Sequence, residues 1–240
     1  MTRAAGRPSG LPPAVGLRRT GGRRRVLFIG HGVKPTGRAR VTEAIVSRLL
    51  GHCDVIQFAP NWYGAAREQP WVLWPNTVQG DPYGRTQLAA IIARARPDVI
   101  VLNCECWEYG LYAPVLARVR PSRVILHCPV EGPLTRTWPA EAVSLLDVVV
   151  TNTDFGRRQL RDVLAGSLPP GSPLPPVTVI PHGVDTRTFR PLAAATDSRM
   201  TPGSFAESCD SPNDLGNDPG CNTPYPKIRD KVQRSQFQKY

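Results

Sequence analysis

Residues 177–192 read VTVIPHGVDTRTFRPL, and this stretch decides how the chain is understood. Val177 to Ile180 are β-prone and apolar, which predicts a short buried strand. Pro181 has no N–H to continue a ladder, so the strand is expected to stop there. Gly183 permits a backbone turn that a residue with a Cβ would resist. Asp185 or Thr186 then caps a short helical turn, with Phe189 packing back before Pro191 ends it.

Upstream of that stretch, strand and helix patterns alternate. Residues 26–30, VLFIG, form a continuous apolar run suited to a strand buried on both faces. A loop, HGVKPTG, leads to a helix over 38–50, where Val41, Ile45 and Leu49 recur every four residues with Ala44 beside them. A strand at 55–58 and a Trp/Pro-rich stretch holding Trp71 and Trp74 come next. A helix at 86–95 and a strand at 99–103 follow. The pattern continues with a helix near 111–119, a strand at 124–127 and a helix around 140–146. A strand at 148–151 leads into a helix at 155–164, capped by Thr153 or Asp154. A Pro-rich loop, SLPPGSPLPP, precedes Val177. Such alternation predicts an α/β fold, a doubly wound and mostly parallel sheet of about seven strands.

The flanks have a different texture. Residues 1–25 hold seven arginines and no acid, without apolar periodicity, and read as a disordered basic tail. An Arg-rich, acid-poor segment also fits an organellar transit peptide, although serine is scarce. Residues 193–240 hold many Pro, Gly, Ser, Asn and Asp and no strand run, so little fixed structure is expected there. The organisation read from sequence is therefore 1–25 tail, 26–192 Rossmann-like domain and 193–240 low-order tail.

The net charge of +11 is concentrated in the first 25 residues. That tail suits contact with nucleic acid or anionic lipid, but it lacks the interleaved aromatics that stack bases. No specific nucleic-acid partner is expected, and peripheral membrane contact stays open. No apolar run reaches the roughly 18–20 residues that span a bilayer, and no signal-peptide pattern is present. A cytoplasmic location follows as the expectation. Six cysteines, at 53, 104, 106, 128, 209 and 221, read as free thiols. Cys104 and Cys106 are too close for a zinc knuckle, and no metal site is expected.

In a doubly wound sheet, ligands bind beyond the carboxyl ends of the strands. Those ends lie at Gly30, Phe58, Asn103, His127 and Thr151. The loop 30–37, GHGVKPTG, joins a strand to a helix start and reads either as a phosphate cradle or as a plain tight turn. It is not the dinucleotide fingerprint, because Gly37 arrives two positions late and Ala59-Pro60-Asn61 replaces the acid after the second strand. It approaches a P-loop at Gly32 and Gly37. Arg38 and Ala39 then stand where Lys and Ser/Thr would hook phosphate and magnesium.

Several segments, in order, resemble the group 1 glycosyltransferases of the GT-B fold. RRVLFIGHGVKPTGRARVTEAIVSRLL looks like the opening strand, Gly-containing loop and helix, and ARPDVIVLN like the mid-domain strand. LDVVVTNTDFGRRQL looks like the strand and helix before the closing motif, and IPHGVDTRTFRPL is the most specific piece. The resemblance spans about 70% of the chain, from Arg25 to Leu192. It implies the N-terminal, acceptor-side half of an enzyme that transfers a hexosyl group, with retention, from a nucleotide-diphosphate sugar to a glycan or other hydroxyl acceptor. No separate cofactor is implied.

By that resemblance Gly32, Gly37 and Arg38 approach the donor diphosphate, and His127 in VILHCPVEGPL matches a functional histidine at the end of the fifth strand. A hydrogen-bonded structural histidine is the other reading of His127. Asn103 and Glu131 are the substrate-binding candidates. His182 is read as fixing its turn, and His31 and His52 have no assigned partner. The family's second domain supplies most donor contacts and the charge that stabilises the leaving diphosphate. No such segment is recognisable in the 48 residues after Leu192, so the 240-residue chain alone is expected to be weakly active or inactive. A non-catalytic glycan- or nucleotide-binding module and a P-loop-like NTPase are the alternatives.

Overall fold

The computed structural model describes residues 21–33, 36–64 and 69–189. Seven strands are present: β1 (Arg24–Ile29), β2 (Cys53–Ala59), β3 (Val72–Pro75), β4 (Val99–Asn103), β5 (Val124–His127), β6 (Val148–Thr151) and β7 (Val177–Val179). Five helices lie between them: α1 (Gly37–Leu49), α2 (Arg85–Ala95), α3 (Cys106–Val119), α4 (Ala140–Val143) and α5 (Asp154–Ser167). The strands form one sheet in the order β3-β2-β1-β4-β5-β6-β7. Every pairing is parallel. This is the doubly wound α/β arrangement expected from the alternating pattern, with its order reversing between β1 and β4.

Side chains alternate across the sheet because successive Cβ atoms point to opposite faces. Leu27, Ile29, Ile56, Phe58, Ile100, Leu102, Leu126 and Val149 share one face and build the larger core with α2, α3, α4 and α5. Phe28 and Val55 point the other way and pack on Val46 of α1. Fully burying a side chain of this size stabilises the fold by about 1.5–3 kcal/mol each. The uninterrupted apolar runs of β1 and β4 follow from that two-sided burial.

Four local differences from the expected pattern have physical causes. β3 falls in the Trp/Pro-rich stretch, where no strand is expected. It is an edge strand, a position that tolerates Pro75, and Trp74 is buried beneath it. α3 begins at Cys106 rather than near Leu111. Glu105 and Glu108 form a reciprocal capping box there, which compensates for Gly110 and Pro114 inside the helix. α4 is a single turn instead of the full span 140–146. β1 starts at Arg24, so the expected tail already contributes to the sheet at its last residues. Arg25 is buried, with its guanidinium donating to Ala95 O at 2.8 Å and its backbone N–H to Asp98 Oδ2 at 2.7 Å.

The described residues fall into two units, divided between Val184 and Asp185. β7 stops before Pro181 as expected, but none of its residues is buried and Ile180, just beyond it, is exposed. Gly183 has no left-handed φ and a Cβ there would meet nothing within 4 Å, so neither backbone nor packing requires glycine. In the second unit, Asp185 caps the expected turn, its carboxylate accepting from Arg187 N–H at 3.0 Å and Thr188 Oγ1 at 2.8 Å. Phe189 is 67% exposed rather than packed back. Pro191, the segment 193–240 and residues 1–20 lie outside the described residues.

Gly84 opens α2 in the left-handed region, and a Cβ there would overlap the Phe58 ring. Gly80 is also left-handed, but a Cβ would meet nothing. Gly84→Ala is therefore expected to cost about 2–4 kcal/mol in urea unfolding, and Gly80→Ala only about 1 kcal/mol. Equal costs would show that the Phe58 contact is irrelevant.

Candidate functional site

A cleft of about 760 Å³ opens over the carboxyl ends of the central strands. Its walls come from the α1 N-terminus, the segment after β4, the 129–134 loop after β5, Asn152 after β6 and His182 after β7. The position is the one that the reversal of strand order creates, since connections leave β1 and β4 in opposite directions.

Gly30 and Gly32, in the loop after β1, do not present their N–H groups to a ligand. Gly30 donates its N–H to Phe58 O at 3.1 Å, and Gly32 donates to Asn61 Oδ1 at 3.1 Å. A Cβ on Gly32 would lie 2.8 Å from Gln57 Nε2, so this glycine serves close packing between β1 and β2. Asn61, standing where a dinucleotide site has its acid, instead ties the loop down. Lys34 and Pro35 lie outside the described residues. Gly37 does line the cleft, at the first turn of α1, behind Thr36, whose Oγ1 accepts from Ala39 N–H at 3.2 Å.

Arg38 also lines the cleft, but two carboxylates hold it. Its Nη1 donates to both oxygens of Glu108 at 3.1 Å, and Nη2 pairs with Glu105. Glu108 is buried and accepts Glu105 N–H at 2.7 Å, so it cannot swing away from the arginine. A buried carboxylate needs such a partner. Among the described cleft residues Arg38 is the one Lys or Arg, and Glu105 and Glu131 stand with it. The described cleft is therefore poor in positive charge.

Beneath the cleft, a polar chain runs across α1, β4 and β5. The pairing of Asn103 with His127 in register sets their side chains on the same face. Asn103 Nδ2 donates to Thr42 Oγ1 at 3.0 Å. Its Oδ1 is then left to accept from His127 Nδ1 at 2.8 Å. This network assigns the Nδ1–H tautomer, leaving Nε2 as the lone-pair nitrogen. His127 is buried and is not among the cleft-lining residues, whereas Asn103 is. The His182 ring stands 6.2 Å from it, centroid to centroid, and reaches the cleft itself. Burial, with a smaller contribution from His182, holds the His127 pKa down to about 4.

The opposite side is aromatic and acidic. Trp107, 47% exposed, faces the cleft from the first turn of α3. Its indole N–H donates to Glu105, and Tyr83 meets the ring edge-on at 5.5 Å, which fixes its plane. Glu131 is exposed on the 129–134 loop. Asn152 Oδ1 is buried and has no partner among the described residues.

Of the sequence candidates, Gly37, Arg38, Asn103 and Glu131 thus share one cleft, His127 lies below it, and Gly32 is turned aside. Sequence reasoning missed Glu105, Trp107 and Glu108, although the run Cys104 to Tyr109 follows a strand end directly. It also read His182 as a turn residue, when it lines the cleft. Cys53, Cys104, Cys106 and Cys128 are free thiols, as expected, and no group of three or more metal-ligating side chains occurs among the described residues. Nor is any helix among them long and apolar enough to cross a membrane.

No family model and no curated relative matches the sequence. Among solved structures, the Bordetella bronchiseptica enzyme WbmH in complex with NAD+ is similar at 13% identity and a TM-score of 0.34. The match covers 54% of this chain, and the chain spans about half (55%) of the length of that enzyme. A likeness at that level carries no argument about this chain's ligand.

The depressed His127 pKa has a consequence for stability. Protonation is opposed in the folded state, so the contribution is fully present above about pH 6.5 and is lost as pH falls towards 4. The full loss amounts to about 3 kcal/mol. Urea unfolding across that pH window should show this slope in the native chain, and His127→Gln should flatten it. An NMR titration with His127 protonating near 6.5 would contradict the assignment.

Proposed function

We propose that this chain is the acceptor-side, Rossmann-like half of a group 1, GT-B glycosyltransferase, which transfers a sugar from a nucleotide-diphosphate sugar to a hydroxyl acceptor. The observation that carries the reading is the convergence, in one cleft at the reversal of strand order, of the α1 N-terminus, Glu131 and His182. The last of these comes from the IPHGVD segment that the sequence resemblance rests on most.

The side chains suit a polyhydroxyl acceptor better than a diphosphate. Trp107 offers a flat apolar surface for the C–H face of a sugar ring. Exposed Glu131 is an acceptor for hydroxyl protons, and orientation by a few polar groups in a largely apolar cleft is the usual recognition pattern. His127 lies below them. Burial opposes its protonation, so at pH 7 it stays neutral and its Nε2 serves as a hydrogen-bond acceptor rather than as a general base. A departing diphosphate needs unpaired positive charge, which Arg38, clasped by Glu105 and Glu108, does not offer. On this reading donor binding falls to a second domain.

That same pairing of Arg38 favours one other reading, a non-catalytic module that binds a glycan. It disfavours a P-loop NTPase, as does the engagement of Gly32 N–H by Asn61. Calorimetry on the purified chain with a panel of neutral saccharides and with UDP, GDP and ADP separates these. Saccharide binding is expected at about millimolar Kd, weakened roughly tenfold by Trp107→Ala or Glu131→Gln, a loss of about 1.4 kcal/mol. Nucleotide diphosphates are expected to bind no better than about 1 mM, and sugar transfer by the chain alone is expected to be negligible. Micromolar nucleotide binding unaffected by those two substitutions would overturn the reading. Saccharide binding combined with no turnover, even when a donor-binding domain is supplied, would leave the non-catalytic module.

A further inference from the structure

A second hollow, of about 480 Å³, lies between α3 and the segment 80–86 that leads into α2, and the proposed function does not use it. Trp107, Leu111, Pro114 and Arg118 follow one another at intervals of four, three and four residues, so they share one face of α3. All of them are exposed or half-buried, and that face points away from the core. The stripe runs about 16 Å along the helix. Its first member, Trp107, belongs to the cleft wall, and the others line the second hollow. Tyr83 joins the two spaces, because it lines the hollow while its ring meets Trp107 edge-on at 5.5 Å. Cleft and hollow are thus consecutive stations along one surface, with an aromatic pair at the junction.

Their charges differ. In the cleft, Arg38 is clasped by two carboxylates. In the hollow, Arg85 and Arg118 are exposed, and neither guanidinium has a hydrogen-bond or ion-pair partner among the described residues. Asp81 is the one carboxylate among the described residues that line it. Its Oδ2 accepts Thr86 N–H at 2.7 Å and also the Thr86 hydroxyl, so its charge is turned to the α2 N-terminus, where the helix dipole favours it. Two unpaired guanidiniums against one occupied carboxylate make the hollow a place for an anion. Between Arg118 and Trp107, Leu111 and Pro114 offer apolar surface.

We propose that the ligand of the cleft is an acidic oligosaccharide. One sugar ring lies on Trp107, the chain crosses Leu111 and Pro114, and a carboxylate on a further sugar unit pairs with Arg85 and Arg118. This rests on the reading of the cleft as a saccharide site and adds the chemical class of the acceptor. An arginine fork matches a carboxylate through two parallel hydrogen bonds, which a hydroxyl cannot reproduce. Because both cations are exposed, the attraction is modest and is screened by salt.

The test is calorimetry of the full chain at low ionic strength with tetragalacturonate, a hyaluronan tetrasaccharide and the neutral methyl esters of both. At least one acid is expected to bind about tenfold more tightly than its ester, and salt at about 0.5 M should erase the difference. Replacing both arginines, Arg85→Gln with Arg118→Gln, should bring that acid down to the level of its ester, and Trp107→Ala should weaken acid and ester alike. Esters that bind through Trp107 as tightly as the acids would overturn the proposal and leave the saccharide cleft standing. An acid advantage that survives the paired arginine substitution would also overturn it, as would acid binding indifferent to Trp107→Ala. Tighter binding of polyglutamate or of an oligouridylate than of either acid would do the same. Failure of both acids and both esters to bind would overturn this proposal and the saccharide reading together. The comparison of acid with ester in the native chain decides the matter even if a variant fails to fold.

Discussion

The parallel pairing of β1 with β2 on one side and β4 on the other is the constraint from which the rest follows. Because β4 rather than β2 continues the sheet, α1 packs on one face and α2 to α5 on the other. The chain leaves β1 and β4 in opposite directions, and the space between those exits is the cleft. Once Val26 is opposite Val99 and Ile100 opposite Val124, the sheet register places Asn103 beside His127 at its upper edge. A slip of one residue would turn both polar side chains to the larger apolar core.

A second constraint acts on charge. A strongly basic chain has a cleft in which one guanidinium is enclosed by two carboxylates. Glu108 is buried, so removing Arg38 leaves an unpaired charge in a poorly solvated place, and the arrangement holds the α1 and α3 N-termini together. The same ion pair gives the cleft its chemical character. An arginine whose donors already meet Glu105 and Glu108 cannot grip phosphate without breaking those bonds. The surfaces left to a ligand are the Trp107 ring, Glu131, Asn152 and His182, with neutral His127 below.

Much of the sheet was legible because burial on both faces writes itself as continuous apolar runs. VLFI, VIVLN and VILH fall on strands that are largely buried, and VVVT on one that is buried on one face. β3 escaped because an edge strand bears Pro75 without penalty, and the start of α3 escaped because its stability comes from a side-chain cap rather than from apolar periodicity. The site was legible only as a set of strand ends. That Arg38 is matched by Glu105 and Glu108 across about 70 residues is a tertiary fact with no local signature. Gly32 looked like a ligand-facing glycine because spacing alone cannot distinguish an N–H aimed at a phosphate from one aimed at Asn61. His182 seemed a turn residue because its distance from His127 is set by the pairing of β6 with β7, not by neighbouring sequence.

The central claim is that the cleft above β1 and β4 receives a polyhydroxyl ligand on the Trp107 side. The most direct measurement is a two-dimensional NMR titration of the chain with neutral saccharides, following the five tryptophan indole signals and the backbone amides. The account predicts shifts at the Trp107 indole and in the amides of Glu105, Glu131 and His182, with the buried Trp74 and Trp138 indoles unmoved. Saturable shifts confined to residues away from this cleft would contradict it, as would no saturable shift with any saccharide while a nucleotide diphosphate moves the same amides.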